Sequence, residues 1–92
     1  MGVEPSYEIV VAPGARRALS EGLPAPVAFA AHEFIVGPLA QNPHRVGARL
    51  RAPWADYYRA RRGEYRIRYR VDEARKRVVV VDVDHRRDAY HS

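Results

Sequence analysis

The hydrophobic pattern changes period along the chain. Residues 7–12 alternate, with Tyr7, Ile9 and Val11 on one side and Glu8 and Val10 on the other, which predicts a strand. Pro13-Gly14 ends it. Residues 15–21 place Ala15, Ala18 and Leu19 at helical spacing before Gly22-Leu23-Pro24 interrupts. From about Ala25 a longer helical stripe runs through Val27, Ala28, Ala31, Phe34, Ile35 and Leu39. Gly37-Pro38 is expected to bend or end that helix, and Asn42-Pro43 to close it. Two helices so connected predict a helical hairpin over 13–42. Residues 43–56, punctuated by Pro43, Gly47 and Pro53, read as a loop.

From Tyr57 onward the period is two. Strands are predicted over 57–62, 65–72 and 77–84, joined by turns at Gly63-Glu64 and Glu73-Ala74-Arg75. Glycine at the first of two central positions suits a type II′ hairpin. The order is therefore β-α-α-β-β-β. This is an α+β fold, in which a sheet of antiparallel hairpins carries a helical hairpin on one face. The whole of 1–92 reads as one domain, with 1–6 a frayed start and 85–92 a C-terminal tail that is a strand end or loop.

A two-residue turn also fixes a register. Arg62 falls opposite Tyr65, Arg61 opposite Arg66, and Arg59 opposite Arg68, and such partners share a side of the sheet. Tyr58, Ala60, Tyr65, Ile67, Tyr69 and Val71 then form the apolar face. Arg59, Arg61, Arg66, Arg68 and Arg70 form the other. Strict alternation in the third strand sends Val79, Val81 and Val83 to the core and leaves Asp82, Asp84 and Arg86 facing the arginines. Like charges directly opposite one another cost a few tenths to about 1 kcal/mol per pair. Two stacked pairs therefore need compensation. Either Asp82 and Asp84 complete a surface ion-pair lattice with Arg66 or Arg68, or the face binds phosphate through bidentate guanidinium forks.

Composition sharpens that choice. The 92 residues carry 16 basic and 11 acidic side chains, a net +5, and fifteen of the basic groups are arginine. Residues 1–44 hold two arginines against four glutamates, whereas residues 45–92 hold fourteen basic groups against seven acidic. A basic half on so small a chain points to a polyanionic partner, most often nucleic acid, or else to an arginine-rich solvated surface. A hydrophobic content of 47% argues against a disordered tail, and seven prolines argue against an all-helical protein. Without cysteine there is neither disulfide nor thiolate chemistry, and a zinc site would need His and carboxylates. His32-Glu33 lacks the second histidine of a zinc motif, so His32 and His44 are expected to be structural. No apolar run approaches the roughly 20 residues that span a bilayer, and no signal peptide is visible; the expectation is a soluble cytoplasmic protein.

Several stretches, in order, resemble the RelE/ParE superfamily of bacterial toxins, and within it the RelE-like mRNA interferases of actinobacterial type. Phe34-Ile35-Val36-Gly37-Pro38-Leu39 with Asn42-Pro43-His44-Arg45-Val46-Gly47 is similar to that family's helix end and following loop. Leu50-Arg51, then Tyr58-Arg59-Ala60-Arg61-Arg62-Gly63-Glu64-Tyr65-Arg66-Ile67-Arg68-Tyr69, resembles its hairpin, and His85-Arg86-Arg87-Asp88-Ala89-Tyr90 its C-terminal signature. The resemblance covers residues 7–90. It implies the toxin of a type II toxin–antitoxin module, a monomer when alone or a hetero-oligomer with a co-encoded antitoxin. The activity implied is endonucleolytic cleavage of mRNA in the ribosomal decoding site, by 2′-hydroxyl attack on the adjacent phosphate, with no metal and no cofactor. Carried over by position, Arg59 and Arg61 are the basic pair, Arg66 the phosphate-binding arginine, Arg86 the residue assisting the leaving group, and Tyr90 the aromatic that orients a base. Arg51, Arg68, Arg70 and Arg87 are then further RNA contacts.

The basic pair departs from the best-known members, which have lysines there. A lysine among cations can approach neutrality and accept a proton, but an arginine, with a pKa above about 12, cannot. The base must then be another group, with His85 first, His91 and Tyr90 next, and Glu64 or Asp84 after them. His85 suits neutral pH, yet strict alternation puts it on the apolar side unless a bulge or strand end turns it. Trp54 and Tyr57 flank the entry to the sheet, where they either pack at the core or rim or touch RNA or antitoxin. Two rival functions share the fold: a ParE-like inhibitor of DNA gyrase and a non-catalytic nucleic-acid-binding or repressor member.

Overall fold

The computed structural model describes residues 6–85. Strand β1 (Glu8–Val11) leads into helix α1 (Pro13–Arg17), which continues as a π-helical turn over Ala18–Gly22. Helix α2 (Ala25–Phe34) likewise continues as a π-helical turn over Ile35–Leu39. A short helix α3 (Pro43–Val46) and a two-residue strand β2 (Ala48–Arg49) precede β3 (Tyr57–Arg62), β4 (Tyr65–Asp72) and β5 (Arg77–His85). The five strands form one sheet in the order β1-β5-β4-β3-β2, with β1 parallel to β5 and the other pairs antiparallel. The expected α+β order is present, and the helices cover one face. Among the described residues no helix is long and apolar enough to cross a membrane.

Two expectations need correction here. Gly37-Pro38 does not end the second helix. Proline lacks the N–H of a regular helical bond, and the wider π turn carries Pro38 through, so that the Asn42 N–H bonds the Pro38 carbonyl at 2.9 Å. Nor is 43–56 a plain loop. Pro43 takes a first helical position, where its missing N–H costs nothing, and the Asn42 carbonyl accepts from Arg45 and Val46 at 3.0 and 3.2 Å. Gly47 then lets β2 lie against β3. Its φ of −137° is open to any residue, but a Cβ there would lie 3.0 Å from the Arg59 carbonyl and press against the Tyr69 hydroxyl.

The core lies between the helices and the inner sheet face. Ala15, Ala31, Phe34, Ile35 and Leu39 meet Tyr58, Ala60, Tyr65, Ile67, Tyr69, Val78, Val80 and Val83. Tyr65 and Tyr69 are therefore core residues, as expected. The valines of β5 are partly corrected: Val78 and Val80 are fully buried, whereas Val79 and Val81 are not. The cause is a β-bulge. Arg68 pairs with Asp82 but Tyr69 pairs with Val80, so Val81 is the extra residue and the alternation changes phase there. Val83 then points inward and Asp82 and Asp84 point outward, as the alternation predicts for that half.

One polar network pins the periphery. The buried Tyr69 hydroxyl donates to the Pro43 carbonyl at 2.5 Å, and its ring stacks on Tyr58 at 5.4 Å. The Tyr58 hydroxyl and His44 Nδ1 are 2.8 Å apart, His44 Nε2 meets Glu73, and the Tyr7 hydroxyl donates to Glu73 at 2.6 Å. Hydrogen bonds from His44 and then Tyr7 hold the Glu73 carboxyl well below its ordinary 4.5, at about 2. His44 thus acts structurally, tying α3 to the β4–β5 turn.

Candidate functional site

The helix-free face of the sheet is set by the β3–β4 hairpin. Gly63 adopts φ +53° at the first turn position, a conformation glycine tolerates without strain. The register is the one expected, with Arg62 opposite Tyr65, Arg61 opposite Arg66, and Arg59 opposite Arg68. Beyond the bulge, Arg66 pairs with Asp84 and Arg68 with Asp82. Two rows result, Arg61–Arg66–Asp84 and Arg59–Arg68–Asp82. Each row carries two positive charges and one negative, so the lattice of aspartates only half neutralises the arginines.

The two rows are not equally settled. Arg68 donates to Asp82 at 3.0 Å, a hydrogen-bonded ion pair. Arg66 and Asp84 approach only to 4.0 Å. Moreover, among the described residues, the Arg66 Nε–H is the buried side-chain polar group without a hydrogen-bond partner. A buried donor left without an acceptor costs about 1–3 kcal/mol, more when charged. Arg59, Arg66, Arg68, Asp82 and Asp84, with Leu50 and Ile67, line a cavity of about 80 Å³. Against about 30 Å³ for a water in the liquid, that is room for a phosphate group but not for a nucleoside. An anion with several oxygens fits both the charge and the unfilled donor.

The other residues singled out from the sequence fall in different places. Arg61 is exposed at the end of its row, and Arg70, half-buried, faces Tyr57 and Val79 in the next row of the same surface. Arg51 is exposed in the turn before β3, where its carbonyl accepts from the Trp54 N–H at 2.8 Å. His85 pairs with the buried Tyr65, and so its side chain lies on the helix side of the sheet, 12% exposed and 3.5 Å from Glu64. The phase change at Val81 does not turn it toward the arginines, and a base on that face cannot reach a phosphate held on the other. Among the base candidates, Asp84 lies in the cavity with Arg59 and Arg66. Arg86, Arg87, Tyr90 and His91 lie outside the described residues.

Not every arginine belongs to this face. Arg62 crosses to the helix side, where it donates to the Val46 carbonyl at 2.8 Å and covers the Phe34 ring at 4.9 Å. Arg49 sits over Tyr58 at 5.6 Å. Both are packing residues, as their parity in the register requires. Among the described residues no group of three or more His, Asp or Glu side chains could hold a metal ion. Trp54 is 59% exposed, so of the two packing readings the core is excluded. It meets Tyr57 edge-on, with ring centroids 6.0 Å apart. Tyr57 shares parity with Arg59 and Arg61, which is the sequence signal that puts this aromatic pair beside the arginines.

Comparison with known proteins gives a consistent answer. Residues 16–90 match the family model of the ParE toxin of type II toxin–antitoxin systems. The chain is 38% identical over 84 residues to Toxin RelE of Mycobacterium tuberculosis, covering 91% of this chain and 86% of that one. It is 43% identical over 84 residues to Toxin RelG of the same organism, covering 91% and 95%. It also superposes with a TM-score of 0.84, at 41% identity, on a chain of the RelBE2 toxin–antitoxin complex of that organism, covering 89% of this chain and all of that one.

Proposed function

The chain belongs to the RelE/ParE family of type II toxin–antitoxin toxins, and we propose on that premise that it is an endoribonuclease that cleaves mRNA in the ribosomal decoding site. The observation that carries this reading is the half-neutralised arginine ladder, with the Arg66 Nε–H buried and without an acceptor among the described residues. In the proposed reaction a ribose 2′-oxygen attacks the adjacent phosphorus and the bond to the 5′-oxygen breaks. The products are a 2′,3′-cyclic phosphate and a free 5′-hydroxyl, whose proton comes from solvent water, and no metal takes part. Arg59, Arg61, Arg66 and Arg68 hold the phosphate and oppose the charge that builds on its oxygens in the transition state. None of them takes the 2′-proton, because a guanidinium does not deprotonate in proteins. We assign that role to Asp84, which is supported by its place in the lining of the same cavity as Arg59 and Arg66. Arg86, assisting the leaving oxygen, and Tyr90, orienting a base, are carried over from the family resemblance.

In the cytoplasm a co-encoded antitoxin would hold the protein inactive by covering the arginine face. This is supported by the likeness to a chain solved within a toxin–antitoxin complex. Induced expression tests the activity. We expect codon-positioned cuts in translated mRNA, lost in Arg66→Ala and reduced at least tenfold in Asp84→Asn, with both variants still folded. DNA breaks with intact mRNA would overturn it in favour of gyrase inhibition. Growth inhibition unchanged in Arg66→Ala would remove the ladder from the mechanism.

A further inference from the structure

We infer that the same face carries a nucleobase site beside the ladder, in the cavity between Trp54 and Tyr57, for a base of single-stranded RNA next to the phosphate held by the arginines. This rests on the reading of the ladder as an RNA-phosphate site. The cavity measures about 310 Å³ and is lined by Leu50, Trp54, Tyr57, Arg68 and Val81. Leu50 and Arg68 also line the 80 Å³ phosphate-sized cavity, so the two are contiguous.

A lone exposed aromatic needs no explanation. Here, however, four features coincide. Trp54 is 59% exposed yet oriented by an edge-on contact with Tyr57, which leaves indole surface free for stacking. Tyr57 shares the face of Arg59 and Arg61 through the strand register. Val81, the extra residue at the bulge of β5, adds an apolar wall to the cavity on this face. Finally, among the described residues Arg68 is the one charged residue of the lining, and none of them there is a carboxylate. Every nucleobase offers a π-face, so aromatic stacking beside a cationic track suits single-stranded RNA without demanding a sequence. The larger cavity admits a base where the smaller admits a phosphate, and Arg68 bridges them. An apolar peptide would use the aromatic pair but would leave the adjoining arginines unfilled.

Trp54 is the sole tryptophan, so its fluorescence reports this cavity alone. The full chain is titrated with a short single-stranded RNA carrying 2′-O-methyl groups, which block cleavage, and separately with inorganic pyrophosphate. The RNA should quench Trp54 and pyrophosphate should not. Trp54→Ala should weaken RNA binding about tenfold, the scale of one lost stacked base, while Trp54→Phe keeps it within about threefold. Both variants should melt as the wild type does, because the side chain is exposed. Absent quenching, or unchanged RNA binding by Trp54→Ala, overturns the inference. So does a Trp54→Ala variant that loses antitoxin affinity alone, which would make the cavity a protein contact. The two readings fail separately. A chain that cuts mRNA with Trp54 unaffected by RNA keeps the cleavage reading and loses the base site. A chain that cuts no mRNA but is quenched by RNA does the reverse.

Discussion

If the arginine ladder is built for an anion, the free protein should carry a measurable electrostatic cost there, and one substitution should relieve it. Arg61 lies directly opposite Arg66, whose counter-ion Asp84 is 4.0 Å away, whereas Arg68 is hydrogen-bonded to Asp82 at 3.0 Å. With Coulomb attraction falling as the inverse of distance, the Arg66 pair has about three-quarters the attraction of the Arg68 pair at equal dielectric. The Arg61–Arg66 repulsion is therefore the less compensated of the two. Like charges opposite one another cost a few tenths to about 1 kcal/mol, so Arg61→Gln should stabilise by about 0.5–1 kcal/mol and Arg59→Gln by less. For a chain of this size each kcal/mol moves the melting temperature by about 4–8 °C, so Arg61→Gln should melt about 2–8 °C higher. Arg70→Gln is the control, because Arg70 faces Tyr57 and Val79 rather than another arginine. The assay is thermal unfolding by circular dichroism at low salt and again at 1 M, where the Debye length falls to about 3 Å and the gain should vanish. Pyrophosphate should then stabilise the wild type more than Arg61→Gln, by mass action on the folded state. A variant that melts below the wild type at low salt, or a gain that persists at 1 M, refutes the reasoning.

Two further outcomes test the frame that holds this face. Gly47→Ala should destabilise by about 1–3 kcal/mol through overpacking, because its Cβ presses on the Tyr69 hydroxyl, and the cost should shrink in a Tyr69→Phe background; additive melting shifts in the double-mutant cycle contradict the contact. The Glu73 carboxyl is held at about 2 against an ordinary 4.5, so its contribution is present above 4.5 and is lost as pH falls toward 2. Acid unfolding of Glu73→Gln should therefore be less steep over that interval than that of the wild type, and identical slopes count against the network.

The sheet was legible where side-chain period and turn chemistry agreed. β3 and β4 begin and end where alternation and the Gly63-Glu64 turn place them, and the hairpin register follows from the turn alone. The features that escaped each depend on a contact remote in sequence. β2 is two residues long, too short to show a period, and exists because Gly47 leaves room for Tyr69. The bulge at Val81 is invisible in a run of four valines, since every register of Val78-Val79-Val80-Val81 is equally apolar. His44 carries no local sign of its partners, Tyr58 and Glu73, which are 14 and 29 residues away.

The bulge also explains how one strand serves both faces. Without it, a β5 that buries Val78 and Val80 would go on to bury Asp82 and Asp84 against the helices, an arrangement too costly for unpaired carboxylates. With it, Asp82 and Asp84 complete the two arginine rows while Val83 rejoins the core. The same phase change keeps His85 on the helix side, beside Tyr65. A single inserted residue thus gives the ladder its aspartates and denies it that histidine. On the proposed cleavage reading, arginine in place of lysine and an aspartate in the same cavity are then two parts of one arrangement: the guanidinium groups would bind and neutralise, and proton transfer would fall to a carboxylate.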